Sequence, residues 1–339
     1  MAMKDNRLMK LKLFAYRRGL ILFKDVFYRK LHFIPPLPLI AIVELTNHCN
    51  AHCAMCDRNT MTRKAGYIDW DLYCAIIDQI ARYRIRRVNL NRFGEPLLHP
   101  KVVEMVRYAK SKGIKEVSFV TNGMLLDEKK ARGLLEAGLD KINISLDGAT
   151  PETFERIRAG CTYERVTGNL TRLLELRRSK GLQRPYVQIN TLLMQDSLDE
   201  LGQLIEKWRP LVDEIRLAGA VQYGNVDLNP LKAREGIQRE PIACSELFWK
   251  MIFFWNGDVS VCCEDIDGKL TVGNIRNRTI PELWKSEKYR KLRACHFRHD
   301  FSSLPVCAAC DLSNRRMVEL YDRQVRMYSH KFGLYLNAP

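Results

Sequence analysis

The sequence contains no run of about 18 uninterrupted apolar residues, so it predicts no membrane-spanning helix. Residues 1–14 also lack a clean apolar stretch followed by a small-residue cleavage site, and we expect a protein that is not secreted. Acidic residues are scarce, with 39 Asp and Glu against 55 Lys and Arg, which gives a net charge of +16. No nucleic-acid-binding motif accompanies this positive charge, so we expect no nucleic-acid partner.

Cysteine is plentiful, with 11 residues in the chain. In a protein that is not secreted, thiols stay reduced and more often bind metals than form disulfides. Cysteine usage therefore predicts a cytoplasmic protein with metal sites.

The excess of positive charge is concentrated near the N-terminus. Residues 1–36 carry nine Lys or Arg against Asp5 and Asp25, and their apolar residues recur at helical spacing. This pattern predicts a basic amphipathic arm over residues 1–37, ended by prolines. Two interpretations stay open: adsorption to an anionic membrane surface, or a helix that closes the floor of the core with its basic face in solvent.

Three thiols lie within eight residues directly after an apolar run that is typical of a buried strand. The spacing is Cys49-x3-Cys53-x2-Cys56, and the strand covers residues 39–44. In α/β proteins, ligands bind at the carboxyl ends of such strands. Three thiolates leave one position of a tetrahedral site open, as in a 4Fe–4S cluster with one free iron. A zinc site closed by His48 or His52 is the alternative.

Strand-like and helix-like patterns then alternate through six units, which predicts a parallel sheet with right-handed crossovers. The predicted strands are Leu39–Glu44, Arg87–Leu90, Glu116–Thr121, Lys141–Leu146, Tyr186–Leu192 and Asp213–Leu217. The predicted helices are Asp69–Tyr83, Lys101–Lys112, Glu128–Gly138, Tyr163–Lys180 and Leu198–Trp208. Periodicity alone does not separate an open sheet from a partial barrel.

The cysteine spacing after a strand resembles the radical S-adenosylmethionine (SAM) enzymes. The resemblance implies a partial (βα)6 barrel over residues 38–225, and an open cluster iron that binds SAM and yields a 5′-deoxyadenosyl radical. This chain has Met55 where that family usually has an aromatic residue before the third cysteine. Since Met is apolar and adaptable, we expect the packing of the adenine to be altered and retained.

Polar residues at the predicted strand ends resemble the SAM-binding positions of that family. After the second strand comes Gly94-Glu95-Pro96, which is similar to the segment that holds the methionine amino group of SAM. The resemblance extends to the next strand ends, and the full set of expected SAM contacts is Gly94, Glu95, Pro96, Thr121, Asn122, Ser145, Asp147, Asn190 and Arg216. Taken singly, Asn122-Gly123 is also typical of a turn, and Ser145 to Gly148 of a helix cap.

A second group of cysteines lies after residue 225, where the alternation stops and a polar linker is predicted over residues 225–240. Asn256-Gly257 between two apolar runs predicts a hairpin that returns Cys262 toward Cys244, and Cys307 and Cys310 form a two-residue clip. Four such thiols suit a tetrahedral zinc or a 4Fe–4S cluster.

This region is similar to the SPASM/twitch extension of radical SAM proteins, a small iron–sulfur domain expected over residues 226–315. The resemblance implies one auxiliary 4Fe–4S cluster held by Cys244, Cys262, Cys307 and Cys310, hence two clusters in the chain. Residues 316–339 are expected to form a C-terminal helix and tail.

Four cysteines are left over: Cys74, Cys161, Cys263 and Cys295. Each is most simply a small apolar side chain. Cys263 adjoins an expected cluster ligand and Cys161 comes after the fourth strand, so either one is a candidate hydrogen-atom donor. Cys295 is an alternative ligand of the auxiliary cluster.

The resemblance implies an enzyme that cleaves SAM reductively and abstracts a hydrogen atom from a small polar substrate, such as a sugar or an aminocyclitol. Oxidation and epimerisation are both open as outcomes. The alternatives are a peptide-modifying maturase, and a non-catalytic iron–sulfur or zinc protein that binds a membrane or nucleic acid through its arm. A reducing protein such as flavodoxin or ferredoxin is the expected partner, and peripheral membrane contact through the arm stays a hypothesis.

Overall fold

The computed structural model of the chain describes residues 33–219 and 237–334. Most of the predicted basic arm and of the predicted linker lies outside the described residues. Within the two described ranges, no helix is both long enough and apolar enough to cross a membrane.

Nine strands form one sheet, and six of them are the predicted parallel strands. In chain order the strands are β1 (Ile40–Val43), β2 (Arg87–Asn89), β3 (Glu116–Thr121), β4 (Lys141–Ser145), β5 (Tyr186–Leu193), β6 (Glu214–Gly219), β7 (Lys250–Phe253), β8 (Asp258–Ser260) and β9 (Thr271–Asn274). Their order across the sheet is β6-β5-β4-β3-β2-β1-β7-β8-β9, with β1 to β6 all parallel. The predicted partial (βα)6 barrel, with a smaller C-terminal part, is confirmed.

The hairpin predicted around Asn256-Gly257 is present, since β7 and β8 pair in antiparallel fashion. Strand β7 also pairs in parallel with β1, with Val43 opposite Phe253. The two halves of the chain therefore share a continuous sheet, and the strand that leads into the first cysteines lies at their junction.

Ten helices surround the described sheet. They are α1 (Trp70–Arg82), α2 (Val102–Ser111), α3 (Glu128–Glu136), α4 (Pro151–Ile157), α5 (Tyr163–Ser179), α6 (Leu201–Trp208), α7 (Ile280–Trp284), α8 (Glu287–Phe297), α9 (Pro305–Ala309) and α10 (Arg315–Lys331). Several begin at side-chain caps: Asp69 accepts from Leu72 N at 2.8 Å, and Thr279 and Glu282 form a capping box. Helix α10 packs against β6 and extends the covered surface of the sheet.

A buried ion pair joins the two halves beside β1. Glu44, which is fully buried, accepts from both terminal nitrogens of Arg63 at 2.8 Å. The backbone N–H of Trp255 also donates to Glu44 at 3.3 Å, and Arg63 Nε donates to the carbonyl of Ile266 at 3.1 Å. The pair therefore ties the segment after the first cysteines to the C-terminal half.

We expect Glu44→Ala to lower the free energy of unfolding by about 3 kcal/mol or more, because it leaves the Arg63 charge buried without its partner. Urea denaturation of the anaerobically purified protein, monitored by far-ultraviolet circular dichroism, measures this change. The matched control is Glu128→Ala, which breaks the exposed pair between Glu128 and Arg132 on α3 and should change stability by about 0.5 kcal/mol or less. Equal losses in both variants would contradict the role of the Glu44 pair.

Candidate active site

The first cysteine loop (residues 44–56) leaves the carboxyl end of β1 and is held on two sides by backbone contacts. On one side, His52 N donates to the carbonyl of Ala159 at 2.7 Å and Ala54 N donates to that of Ile157 at 2.9 Å. On the other side, Glu95 N donates to the carbonyl of His48 at 2.8 Å. The expected SAM segment and the segment after α4 thus fix the path of this loop.

Cys49, Cys53 and Cys56 lie in that loop, partly or fully buried. Burial raises the pKa of Cys49 to about 11 and also raises the pKa of Cys56, since a thiolate loses its hydration there. Bound metal is the usual compensation for buried thiolates. The donor chemistry therefore fits an iron–sulfur cluster, although no three His, Cys, Asp or Glu side chains converge on one point among the described residues.

The histidines proposed for a zinc site have other surroundings. The His48 ring stacks on Tyr67, with ring centroids 4.8 Å apart, and the side chain of His52 is exposed. These positions favour three thiols and an open fourth position over a site closed by histidine.

Gly94 brings the expected SAM segment into close contact with the first cysteine loop. A Cβ atom at this position would lie 2.2 Å from the carbonyl oxygen of Thr46 and 2.6 Å from that of His48. Because both are backbone atoms, neither is able to rotate away. Glycine is therefore required for the two segments to touch.

The carboxylate of Glu95 is buried and bonds to its own chain. One oxygen accepts from the Thr121 hydroxyl at 2.7 Å and from Leu97 N at 3.0 Å, and the other accepts from Asn122 N at 2.8 Å. Burial raises the pKa of this carboxyl. The three hydrogen bonds lower the pKa, but the effect of burial is larger. Glu95 thus joins the end of β2 to the end of β3, and its direct contact with SAM stays a prediction. Its neighbour Pro96 begins a short 3-10 turn.

The remaining expected SAM contacts line up across neighbouring strands. Ser145 on β4 is in register with Asn190 on β5, and Asn190 is in register with Arg216 on β6. Asn122 donates to the side chain of Asn50 at 2.9 Å, beside Cys49. Asp147 differs from this group, because it is fully buried and bonds to Arg158. The strand ends meet at one edge as predicted, and their roles in binding stay predictions.

Thiols of the second group lie near one another in pairs, although no three of them converge on one point among the described residues. Cys307 lies close enough to Cys244 for its charge to raise the pKa of that thiol. Cys310 and Cys244 lie close enough to Cys262 to raise its pKa in the same way. Burial raises the pKa of Cys307 to about 11 and raises that of Cys244 and Cys310. Ser313 Oγ donates within the clip, 2.8 Å from the carbonyl of Cys310. Cys295 lies near Cys307 as well, so its role as an alternative ligand stays open.

A cavity of about 790 Å³ lies between the two cysteine regions. The first region contributes Cys56 and Asp57 to its wall, and the second contributes Cys263 and Glu264. Strands β1, β2, β5, β6 and β7 and helix α10 form the rest of the wall, which includes Arg216. Cys161 is not among the lining residues, and its side chain is almost fully buried in the core.

Charged groups on this wall were missed by the sequence analysis. Arg92 pairs with Glu264 at 3.3 Å, and Lys250 on β7 pairs with Glu246. Burial raises the pKa of Asp57 to about 6, and its Oδ1 atom has no hydrogen-bond partner among the described residues. The sequence does contain a clue to some of these residues. Arg92, Asp57 and Glu264 are next to the motifs described above, and Lys250 is a charged residue at the start of an apolar strand.

Two family models and a curated relative match this chain. The family model described as the radical SAM superfamily matches residues 43–219, and the model described as an iron–sulfur cluster-binding domain, SPASM, matches residues 244–311. A relative from Pyrococcus furiosus, a tungsten-containing aldehyde ferredoxin oxidoreductase cofactor-modifying protein, is 24% identical over 79% of this chain and 88% of its own length.

BtrN and SuiB are two examples among the solved structures that are similar to this chain in fold. BtrN in complex with AdoMet and 2-DOIA is 20% identical, with a TM-score of 0.57 over 81% of this chain and 93% of BtrN. Streptococcus suis SuiB bound to the precursor peptide SuiA is 16% identical, with a TM-score of 0.64 over 84% of this chain and 72% of SuiB. At these identities the likeness concerns the fold alone.

We expect Gly94→Ala to lower the free energy of unfolding by about 1–3 kcal/mol, because the added methyl group overlaps two carbonyl oxygens. It should also lower the iron bound after anaerobic reconstitution, since the first cysteine loop loses a supporting contact. Urea denaturation and iron analysis measure the two effects. The control is Gly168→Ala in the interior of α5, where the new Cβ meets no atom within 4 Å and helix propensity improves. Wild-type stability and iron content in Gly94→Ala would contradict the interpretation.

Proposed function

This chain belongs to the radical SAM superfamily, and on that premise we propose that it abstracts a hydrogen atom from a carbon of a small polar substrate and oxidises that substrate. It is an enzyme with a C-terminal SPASM iron–sulfur domain, and its cofactors are 4Fe–4S clusters and SAM. When bound, these cofactors would supply a 5′-deoxyadenosyl radical that takes one hydrogen atom, and a second cluster that would accept the remaining electron while the second proton leaves to water, which completes the two-electron oxidation. The residues of the chain would hold the cofactors and position the substrate.

The proposed ligands are Cys49, Cys53 and Cys56 for the first cluster, and Cys244, Cys262, Cys307 and Cys310 for the second. All seven thiols are buried or half-buried, and this supports the assignment, since a thiolate withdrawn from water needs a bound metal to offset its lost hydration. Gly94 and Glu95 would hold the SAM-binding segment against the first cysteine loop. A reducing protein such as flavodoxin or ferredoxin is proposed as the electron donor.

The observation that carries the proposal is the cavity shared by both cysteine regions. Cys56 lies on one part of its wall and Cys263 on another, and about 790 Å³ is enough for SAM together with a small substrate. A carbon held there would lie beside the place where the radical forms. Positioning of this kind matters because a reactive radical attacks whatever group is nearest.

The cavity wall is mostly apolar, and the charged side chains set into it support a substrate that carries hydroxyl or amino groups. Arg92, Lys250, Glu246 and Glu264 form ion pairs there, and Asp57 Oδ1 accepts no hydrogen bond from the described residues. Such groups recognise hydroxyls and amines through directed hydrogen bonds. BtrN was crystallised with the small molecule 2-DOIA and SuiB with a precursor peptide, so likeness in fold is compatible with either kind of substrate, and the preference for a small substrate rests on the cavity wall.

Epimerisation is the second candidate, and one observation favours it. Cys263 is on the cavity wall beside Lys250, so its thiol is able to reach a substrate. An epimerisation returns a hydrogen atom to the substrate from the opposite side, and a thiol is a suitable donor. Cys161 is a poorer candidate, because it is enclosed in the core and lies outside the cavity wall.

The proposal predicts that sugars or aminocyclitols, and not short peptides, accelerate the formation of 5′-deoxyadenosine by the reconstituted, dithionite-reduced protein. The measurement is 5′-deoxyadenosine by mass spectrometry, with substrates deuterated on carbon. Deuterium in the 5′-deoxyadenosine identifies the compound that loses its hydrogen atom. Deuterium transfer from peptides alone would overturn the small-substrate proposal in favour of a maturase.

With such a substrate, Cys263→Ala separates the two outcomes. If the reaction is an oxidation, the variant should form product within about threefold of the wild-type rate, since no hydrogen atom is returned. Wild-type product formed in deuterated water should then be two hydrogens lighter than the substrate. Loss of product in Cys263→Ala, together with deuterium in an unoxidised wild-type product, would establish epimerisation instead. Cys161→Ala is the control and should keep the wild-type outcome in either case.

A further inference from the structure

Arg158 lies under the first cysteine loop and is one residue that the sequence analysis did not single out. Its Nη1 atom is 3.7 Å from the sulfur of Cys53, which makes it a hydrogen-bond donor to that thiol. The Arg158 side chain is only 12% exposed, so its charge is poorly screened by water. A buried positive charge thus lies next to a proposed cluster ligand.

Asp147 is the partner that allows this charge to be buried. Its Oδ2 atom accepts from Arg158 Nε at 2.6 Å and from Nη2 at 2.5 Å, and its side chain is fully buried. The other oxygen accepts from Leu192 N at 2.7 Å, which anchors the carboxylate to β5. A buried arginine without such a partner would be strongly destabilising. With Nε and Nη2 bonded to Asp147, the third guanidinium nitrogen, Nη1, faces Cys53.

The backbone around Arg158 also holds the guanidinium in position. Arg158 is the C-cap of α4, and the neighbouring carbonyls of Ile157 and Ala159 accept from the first cysteine loop. Gly160 has a positive φ of 88°, and a Cβ atom there would lie 2.9 Å from the carbonyl oxygen of Asn50. The chain therefore approaches the loop closely on both sides of Arg158, and its side chain has little freedom to leave.

We propose that Arg158 is a positioning residue that raises the reduction potential of the cluster held by the first cysteine loop, and that Asp147 moderates this effect. The proposal rests on the ligand role proposed above for Cys53 and is independent of the substrate. Reduction adds a negative charge to a cluster. The reduction potential is therefore set by the hydrogen bonds that the sulfur ligands accept and by the charges of nearby side chains. A guanidinium at Cys53 stabilises the reduced form, whereas the Asp147 carboxylate partly opposes it.

This proposal predicts shifts of opposite sign for the two members of the pair. Asp147→Asn keeps nearly the same shape and an acceptor for Leu192 N, but it turns an NH2 group toward the Arg158 guanidinium and removes the negative charge. In protein that still loads the first cluster, the potential should rise. Adding Arg158→Gln to that variant removes the positive charge without leaving a buried carboxylate unpaired, so the potential should fall below that of Asp147→Asn. Arg158→Lys keeps the charge and should lie closer to wild type than Arg158→Gln does.

The matched control is Arg156→Gln. Arg156 is two residues away on α4, but it and its partner Asp196 are both more than half exposed. Water and salt screen such a charge, so its removal should leave the potential unchanged. The control separates a local effect at Cys53 from a change in overall charge.

The measurement is an anaerobic redox titration of each reconstituted full-length protein, monitored by electron paramagnetic resonance. A variant with Cys49, Cys53 and Cys56 changed to Ala reports the second cluster alone, and its signal is subtracted. Iron analysis should give about eight irons per chain in wild type and about four in that reference variant. If the reference variant keeps all eight irons, the ligand proposal fails, and this result is distinct from a failure of the Arg158 proposal.

Three results together would support the proposal: a higher potential in Asp147→Asn than in wild type, a lower potential in the double variant than in Asp147→Asn, and the wild-type potential in Arg156→Gln. Equal potentials in all proteins that carry both clusters would overturn it, because an arginine that only supports the loop would affect the iron content and not the reduction potential. If the Asp147 variants do not load the first cluster, Arg158→Gln and Arg158→Lys decide the question. A lower potential in the Gln variant supports the proposal, and equal potentials in the two variants refute it.

Discussion

Strand β1 pairs on both of its sides, with β2 and with β7, and the arrangement of the whole site depends on this double pairing. The loop that leaves β1 must pass between the two halves of the chain, because neighbouring strands already occupy both flanks. The loop therefore contacts the expected SAM segment on one side, and its last cysteine, Cys56, lies on the wall of a cavity that it shares with Cys263 of the second cysteine region. A separate C-terminal domain joined only by a linker would not impose this proximity.

Buried and half-buried charges around the site are paired between different segments of the chain. Glu44 pairs with Arg63, Asp147 with Arg158, and Arg92 with Glu264. Because desolvation makes an unpaired buried charge costly, each pair restricts how its two segments can move relative to each other. The pair between Arg92 and Glu264 is of particular interest, since it links the residue before Phe93-Gly94-Glu95 to the residue after Cys263. The expected SAM segment and the second cysteine region are thereby connected along the cavity wall.

The expected SAM contacts divide into two groups once their partners are known. Arg216 lies on the cavity wall, whereas Glu95 and Asp147 bond to the protein's own backbone and side chains. A sequence motif marks both kinds of residue in the same way, because a ligand contact and the support of a ligand-binding loop both require a particular side chain at one position. Burial and hydrogen-bond partners separate them.

The local sequence determined much of this protein. Periodicity predicts the core strands within about one residue at most boundaries, for example β3 over Glu116–Thr121, and Asn256-Gly257 predicts the hairpin. Cysteine spacing likewise identifies the first loop, since thiols within eight residues must lie close together. The pairing of β7 with β1, the Arg158 contact with Cys53 and the charged cavity wall were decided only by the tertiary structure. The pairing of β7 with β1 joins residues 210 positions apart, as between Ile40 and Lys250, and the contact of Arg158 with Cys53 joins residues 105 positions apart. No local pattern encodes which distant partner a strand edge or a buried charge will meet, because that choice depends on how all the intervening elements pack.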